Sequence, residues 1–182
     1  MEDEKILARI RAGERAAFGD LIVRHQDAVF RVVRNLLPHV AECEDIAQDV
    51  FLIAYARLAS FDPTRASFRT WLLTIARNAS LNSLKKHRPF LTDFSANSSH
   101  PADLRSPGAE LEQSELFQRL DDALAELPLE QRTAFVLAEL EGLSLEEVGR
   151  IESVPLGTVK SRLGRAREKL RVALADLVER PR

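Results

Sequence analysis

The sequence predicts an all-α protein made of two helical domains, and three observations support that prediction. Apolar residues recur every three or four positions along most of the 182 residues, which is the spacing of one helix face. No segment shows the alternation of apolar and polar residues that is typical of a half-buried strand. The helical pattern stops between residues 89 and 111, which are rich in Ser, Pro, Asp and Asn. A structureless segment of that length is uncommon inside one domain, so we interpret it as a flexible linker.

The N-terminal half predicts three amphipathic helices. The first ends before Pro38 and has one apolar face formed by Phe18, Leu21, Ile22, His25, Val29, Val32, Val33 and Leu36. The second covers about residues 42–58 and the third about residues 68–87, and the turn-forming segment FDPTRAS separates them. We therefore assign residues 1–88 to the N-terminal domain, residues 89–111 to the linker and residues 112–182 to the C-terminal domain.

The C-terminal half predicts helices on both sides of Pro128 and then a short helix over Leu145–Glu152. Ser144 and Glu147 have the spacing of a capping box, in which a serine at the N-cap and a glutamate three residues later exchange hydrogen bonds. A tight turn and a longer basic helix, about residues 157–177, follow. Short helix, tight turn and basic helix form a helix-turn-helix, whose second helix enters the major groove of DNA.

The predicted basic helix concentrates positive charge in a chain whose formal net charge is −2. Between Pro155 and Leu170 the basic residues are Lys160, Arg162, Arg165, Arg167 and Lys169, and only Glu168 opposes them there. Charge alone does not distinguish a DNA-binding helix from a solvated one. The capped short helix upstream favours DNA binding.

Composition and motifs argue against several other classes of protein. Cys43 is the only cysteine, so an intrachain disulfide and a cysteine zinc cluster are excluded. The acidic start MEDEK is unlike a secretory signal, and the longest apolar runs are too short to span a bilayer. No catalytic constellation and no glycine-rich phosphate loop is visible. We expect a cytoplasmic protein without membrane insertion, without cofactor or metal, and not an enzyme.

Four segments resemble, in order, bacterial RNA polymerase sigma factors of the extracytoplasmic-function family, also called group IV. EDIAQDVFLIAYARL resembles region 2.2, and FRTWLLTIARNASLNSLKKHR resembles regions 2.3 and 2.4. GLSLEEVGRIESVPLGTVKSRLGRAREKL resembles region 4, and LPLEQRTAFVLAELEGLS resembles the segment just before it. The resemblance implies a protein that binds core RNA polymerase, directs it to promoter DNA by the −10 and −35 elements, and promotes strand opening. It also implies control by an anti-sigma factor.

The resemblance assigns polymerase binding to the second predicted helix. Asp45, Gln48, Asp49 and Leu52 lie on adjacent turns, and in the family this segment docks on the clamp helices of the β′ subunit. The C-terminal domain is expected to contact the β flap. An acidic face of this kind can also be a solvated helix surface, because acids near a helix N-terminus are favoured by the helix dipole.

The resemblance also places −10 recognition on the third predicted helix and on the loop before it. Asn78 and Asn82 share a helix face, and Asn amides suit the reading of base edges because they both donate and accept hydrogen bonds. Lys85, Lys86 and Arg88 follow and are expected to hold phosphates. The loop over residues 61–68 resembles the one that receives a flipped-out base. Phe61 is a candidate contact there, or else a core aromatic.

The basic helix is the expected reader of the −35 element. The residues that match DNA-contacting positions are Thr158, Lys160, Ser161, Arg162, Gly164, Arg165 and Arg167, of which Arg162 and Arg167 are expected to hold DNA backbone or polymerase. Three residues depart from the family pattern. Gly164 stands where a larger side chain is common, Ser153 where the turn usually has glycine, and Glu152 where an apolar residue is common.

Two other functions remain open from the residues alone. A stand-alone helix-turn-helix regulator would explain the C-terminal half but would not need EDIAQDVFL. A helical adaptor that never contacts DNA would leave the basic pattern between Lys160 and Arg167 unexplained.

Overall fold

The protein is described by a computed structural model over residues 2–37, 42–87 and 118–175. Every regular element in these ranges is helical, which confirms the all-α prediction. The chain divides into two units, Met1–Arg34 with Glu42–Lys86 and Asn35–Ala41 with His87–Arg182. The predicted linker and Arg88 lie outside the described residues, and the predicted division of the chain into residues 1–88, 89–111 and 112–182 stays a prediction.

The first unit contains four helices: α1 (Glu2–Arg11), α2 (Phe18–Leu36), α3 (Cys43–Ala56) and α4 (Phe68–His87). Short 3-10 turns at Arg15–Ala17 and Leu58–Ser60 precede α2 and follow α3. The apolar faces predicted from periodicity are buried, and the fully buried side chains include Leu21, Val29, Val32, Val33, Val50, Leu72 and Leu73. The bounds of α2 and α4 agree with the prediction, whereas α3 ends earlier than predicted, at Ala56.

Helix α1 was not predicted from the apolar periodicity, because only Ile6 and Leu7 of its ten residues are buried. A different signal was present. Its first turn holds three acidic residues and its last turn two arginines, which is the charge order favoured by the helix dipole. Ionic contacts attach α1 to α2, since Arg9 bonds Asp20 at 2.8 Å and Arg24 bonds Asp3 at 2.9 Å.

The buried, titratable side chain of His25 in α2 also takes part in the contacts between α1 and α2. Its Nε2 lies 3.0 Å from Oδ2 of Asp3, and its ring stacks at 5.5 Å against Phe68. Burial lowers the pKa of His25, although the Asp3 carboxylate acts in the opposite direction. Arg24 and Arg69 act in the same direction as burial on the His25 pKa.

We expect the free energy of unfolding to fall as the pH is lowered below about 6.5, the ordinary imidazole pKa. The unfolded chain then takes up a proton at His25 that the folded chain binds only at lower pH, so acid favours the unfolded state. Urea unfolding between pH 8 and pH 5.5 measures this dependence. His25→Gln should flatten it while the other three histidines remain as an internal control. An unchanged pH dependence in His25→Gln would contradict the assignment.

The second unit contains a helix α5, described over residues 118–125, and three further helices. They are α6 (Leu129–Phe135), which continues as a π-helical turn over Val136–Leu140, α7 (Leu145–Glu152) and α8 (Leu156–Ala173). One core cluster joins α5 to α8 through Ala123, Leu124, Leu127, Ala166 and Leu170. Arg132 stabilises the connection between α5 and α6, because its guanidinium donates hydrogen bonds to the carbonyl oxygens of Ala125 and Leu127.

The turn between α7 and α8 contains a non-glycine residue in the left-handed region. Ser153 has φ 55° and ψ 43°, the strained conformation expected from its sequence position. The backbone is tight here, since a Cβ added to Gly149 would lie 3.1 Å from the carbonyl oxygen of Val154. The turn therefore depends on a small residue at position 149 and tolerates strain at Ser153.

Replacing Ser153 with glycine should raise the free energy of unfolding by up to about 1 kcal/mol, because glycine adopts the left-handed conformation without a Cβ penalty. Urea unfolding followed by circular dichroism measures the change. Ser153→Ala is the matched control and should give no gain, since it keeps the Cβ. Equal stabilisation by alanine and glycine would exclude backbone strain as the cause.

Candidate nucleic-acid interface

The helix-turn-helix consists of the capped helix α7, which packs against the basic helix α8. Ser144 Oγ accepts a hydrogen bond from the Glu147 amide at 3.2 Å, and Glu147 Oε2 accepts from the Ser144 amide at 2.9 Å. The predicted capping box is thereby confirmed. Helices α7 and α8 pack together, and their buried side chains include Val148 and Ile151 from α7 and Val159 and Leu163 from α8.

The face of α8 opposite its apolar stripe is exposed and basic. Lys160, Ser161, Gly164 and Arg165 are all exposed there, and Thr158 is half-buried at the first turn. Nothing lies within 4 Å of a Cβ added at Gly164, so the surface is open at that point. Within the described part of the chain, neither Lys160 nor Arg165 makes a hydrogen bond or an ion pair, which leaves both cations available to an anionic ligand.

Two arginines of the same helix have partners inside the unit. Arg162 Nη1 donates to Oε2 of Glu152 at 2.7 Å, and Arg167 Nη2 donates to Oε1 of Glu139. The Glu139–Arg167 pair is largely exposed, whereas the Glu152 carboxylate is buried. The sequence indicated five cations in one stripe. Among the residues that the structure describes, some of these cations are paired with a carboxylate of the same unit and others are not.

On α4, the predicted −10 residues form an exposed polar surface. Asn78, Asn82, Lys85 and Lys86 are all exposed, and Asn78 Oδ1 accepts a hydrogen bond from Arg77 at 3.1 Å. The helix begins at a capping hydroxyl, because Ser67 Oγ accepts from the Thr70 amide at 3.1 Å. Two asparagines are therefore held one turn apart on a rigid helix.

The loop before α4 packs against a cluster of aromatic rings. Phe61 is only 6% exposed, and its ring lies 5.6 Å from Phe68 and 5.3 Å from Trp71. Of the two interpretations left open from the sequence, this burial favours a core aromatic. The exposed part of the loop is ordered by Asp62, whose Oδ1 accepts from the Thr64 amide at 2.9 Å and from its hydroxyl at 2.7 Å. These hydrogen bonds lower the pKa of Asp62.

On α3, the predicted polymerase-binding residues share one exposed face. Asp45, Gln48 and Asp49 are exposed, and Leu52 is 67% exposed, an unusual degree for a leucine. Tyr55 continues this face and is also exposed, with its ring edge-on to Phe18 at 5.0 Å. Tyr55 was not predicted from the sequence, although its position three residues after Leu52 places it on the same helix face.

Other candidate chemistry is sparse in the described ranges. No group of three or more His, Cys, Asp or Glu side chains there could hold a metal ion. Cys43 is buried, and burial raises the pKa of its thiol. None of the described helices combines the length and apolar character needed to cross a membrane.

Comparison with known families matches both halves of the chain. Residues 21–90 match the family described as Sigma-70 region 2, and residues 117–170 match Sigma-70, region 4. The chain is 34% identical to the ECF RNA polymerase sigma factor SigW of Bacillus subtilis, over 96% of this chain and 97% of that protein. It is 33% identical to the ECF RNA polymerase sigma-E factor of Escherichia coli strain K12, over 99% and 98%.

Two solved structures are also similar. CnrH in complex with the cytosolic domain of CnrY matches at a TM-score of 0.69 and 27% identity, covering 97% of this chain and 99% of that one. The sigma factor RpoE in complex with the anti-sigma factor NepR, from Bartonella quintana, matches at 0.73 and 28% identity, covering 90% and 98%. Because relatives above 30% identity span nearly the whole chain, the protein belongs to the extracytoplasmic-function family of RNA polymerase sigma factors.

Proposed function

We propose that this sigma factor binds core RNA polymerase through the α3 face and positions it on promoters through two DNA-contacting surfaces, on α4 and α8. The observation that supports this most directly is the exposed basic face of α8, where Lys160 and Arg165 have no partner among the residues that the structure describes. A helix-turn-helix with such a face can enter the major groove and place these cations near phosphates and base edges.

The finer assignment of the α8 residues combines the family resemblance with their exposure. Lys160, Ser161, Gly164 and Arg165, which are all exposed, are proposed to contact or lie near bases of the −35 element, with Thr158 also close to the DNA. Arg167 is 60% exposed and can exchange its surface partner Glu139 for a phosphate or for the β flap, since exposed ion pairs are weak.

The α4 surface is proposed to read the −10 element. Asn78 and Asn82 lie on a rigid helix and present amides to bases, while Lys85, Lys86 and Arg88 hold the backbone. Phe61 is proposed to act from the core, by supporting the loop over residues 61–68 against Phe68 and Trp71. The exposed part of that loop is the candidate receiver of an unpaired base.

The α3 face is proposed to dock on the clamp helices of β′. Acidic side chains around an exposed leucine combine electrostatic steering with an apolar anchor, which is the usual composition of a specific interface. We also propose control by an anti-sigma factor, on the ground that a relative of similar fold has been solved with one.

Run-off transcription with purified core polymerase, with and without this chain, tests the function as a whole. Promoter-specific transcripts should appear only when the chain is present, and the same chain should form a complex with core on gel filtration. Absence of both the transcripts and the complex would contradict the proposal.

A further inference from the structure

The ion pair between Glu152 and Arg162 differs from the other ion pairs of α8. The Glu152 side chain is 1% exposed and that of Arg162 is 25% exposed, and their atoms approach to 2.7 Å. A buried carboxylate is tolerated only when it is well paired, because the loss of hydration costs several kcal/mol. The pairs of Arg167 and Arg171 lie at the surface, where such contacts contribute little.

The position of Glu152 indicates that its contribution lies between the two helices. It is the last residue of α7, where the helix dipole disfavours a negative charge. The next residue is Ser153, in the left-handed conformation. Glu152 therefore costs stability within its own helix, and its compensating partner, Arg162, belongs to α8.

Burial and a partner on α7, together with position on the helix, separate Arg162 from the DNA-facing residues. On a wheel of about 100° per residue, Arg162 and Arg167 lie about 70° from the centre of the apolar stripe, on opposite sides of it. Lys160 lies about 90° from that centre, and Ser161, Gly164 and Arg165 lie at least about 130° from it. Arg162 is also the one basic residue between Lys160 and Arg171 that is half-buried instead of exposed. Its guanidinium reaches back to α7.

We propose that Arg162 is a positioning residue: with Glu152 it fixes the placement of α8 on α7 and makes no contact with DNA. The proposal rests on the DNA-binding function proposed for α8 and reassigns a residue that the family resemblance placed at the DNA backbone or the polymerase. Specificity then belongs to Lys160, Ser161 and Arg165, whose placement depends on the buried pair.

A rescue experiment tests this role in the full chain bound to core polymerase, with promoter duplex binding measured over a series of salt concentrations. Arg162→Leu removes the cation that pairs with the buried Glu152 carboxylate, so promoter affinity should fall about tenfold or more. Adding Glu152→Leu removes that buried charge as well, and affinity should return to within about threefold of the unchanged protein. A residue that contacts DNA cannot be rescued by removing an acid from another helix.

The salt dependence gives an independent readout. The double variant should keep the slope of log affinity against log salt concentration, whereas Arg165→Leu, the matched control, should lower it by about 1. Glu152→Leu should not rescue Arg165→Leu. Arg162→Lys is a second variant for the case in which Arg162→Leu does not fold. A lysine could still make a contact with a DNA phosphate, but it fits a buried ion pair poorly. It should lose affinity with an unchanged slope.

Two results would overturn the proposal. One is a double variant as weak as Arg162→Leu with a reduced salt slope, and the other is an Arg162→Lys variant that binds like the unchanged protein. Either result would indicate that Arg162 contacts a DNA phosphate. The proposed function is tested separately, since its failure would appear as absence of promoter binding by the unchanged protein.

Discussion

Replacing both Asp45 and Asp49 with lysine should lower the affinity of this sigma factor for core polymerase by about 10- to 100-fold. The physical reason is that the two acids share the exposed face of α3 with Leu52 and lie about one and two turns before it, so charge reversal turns an attractive face into a repulsive one against a basic partner. Both carboxylates are exposed, and their loss leaves no buried group unpaired. Helicity by circular dichroism should therefore stay unchanged while core binding, measured by fluorescence anisotropy, falls.

A control with the same change in net charge separates local from overall electrostatics. Glu2 and Asp27 are exposed acids on α1 and α2 of the same unit, and lysine at both should leave core affinity within about threefold. Equal loss in the two double variants would mean that net charge, and not the α3 face, governs binding. Normal binding by the Asp45 and Asp49 variant would place the docking surface elsewhere.

Replacing Arg165 with alanine should weaken closed-complex formation on duplex promoter DNA by about 1–3 kcal/mol, the usual cost of losing a good contact with a base. Asn78→Ala with Asn82→Ala should instead leave initial binding largely intact and slow strand opening. Arg165 lies on the helix proposed to enter duplex DNA, whereas the two asparagines are proposed to read bases that become unpaired.

A template with a pre-opened bubble across the −10 region distinguishes the two surfaces. The bubble should restore transcription by the asparagine variant at least partly, because the cost of unpairing has been removed. It should do much less for Arg165→Ala. Arg171→Ala is the matched control on α8, since its guanidinium is already paired with Glu168, and it should behave normally on both templates. Permanganate footprinting and run-off transcription measure the outcome, and equal rescue of both variants, or of neither, would refute the division between α4 and α8.

The sequence predicted those features that depend on local pattern. Periodicity located the faces of α2 and α4, and the spacing of Ser144 and Glu147 located the start of α7. Side-chain contacts between different elements were not predictable in this way. Glu152 was recognisable only as a departure from the family pattern, because its partner Arg162 lies in the next helix.

The burial of Phe61 and the existence of α1 were hidden for related reasons. A phenylalanine in a turn-rich loop has no periodicity to assign its direction, and only the packing of Phe68 and Trp71 shows that it points inward. Helix α1 is short and mostly polar, and its attachment depends on Asp3 and Arg9 meeting residues of α2.

The order of helices along the chain has a consequence for synthesis. In the first unit the end of α1 is separated from the start of α2 only by the turn that contains Gly13 and by one 3-10 turn. Helical units with such local contacts fold in microseconds to milliseconds, far faster than translation at about 5–20 residues per second. Roughly 70 residues separate the end of α4 from the start of α8. The ribosome needs on the order of 4–14 s to make them, so the proposed docking face on α3 is complete seconds before the basic helix has been synthesised.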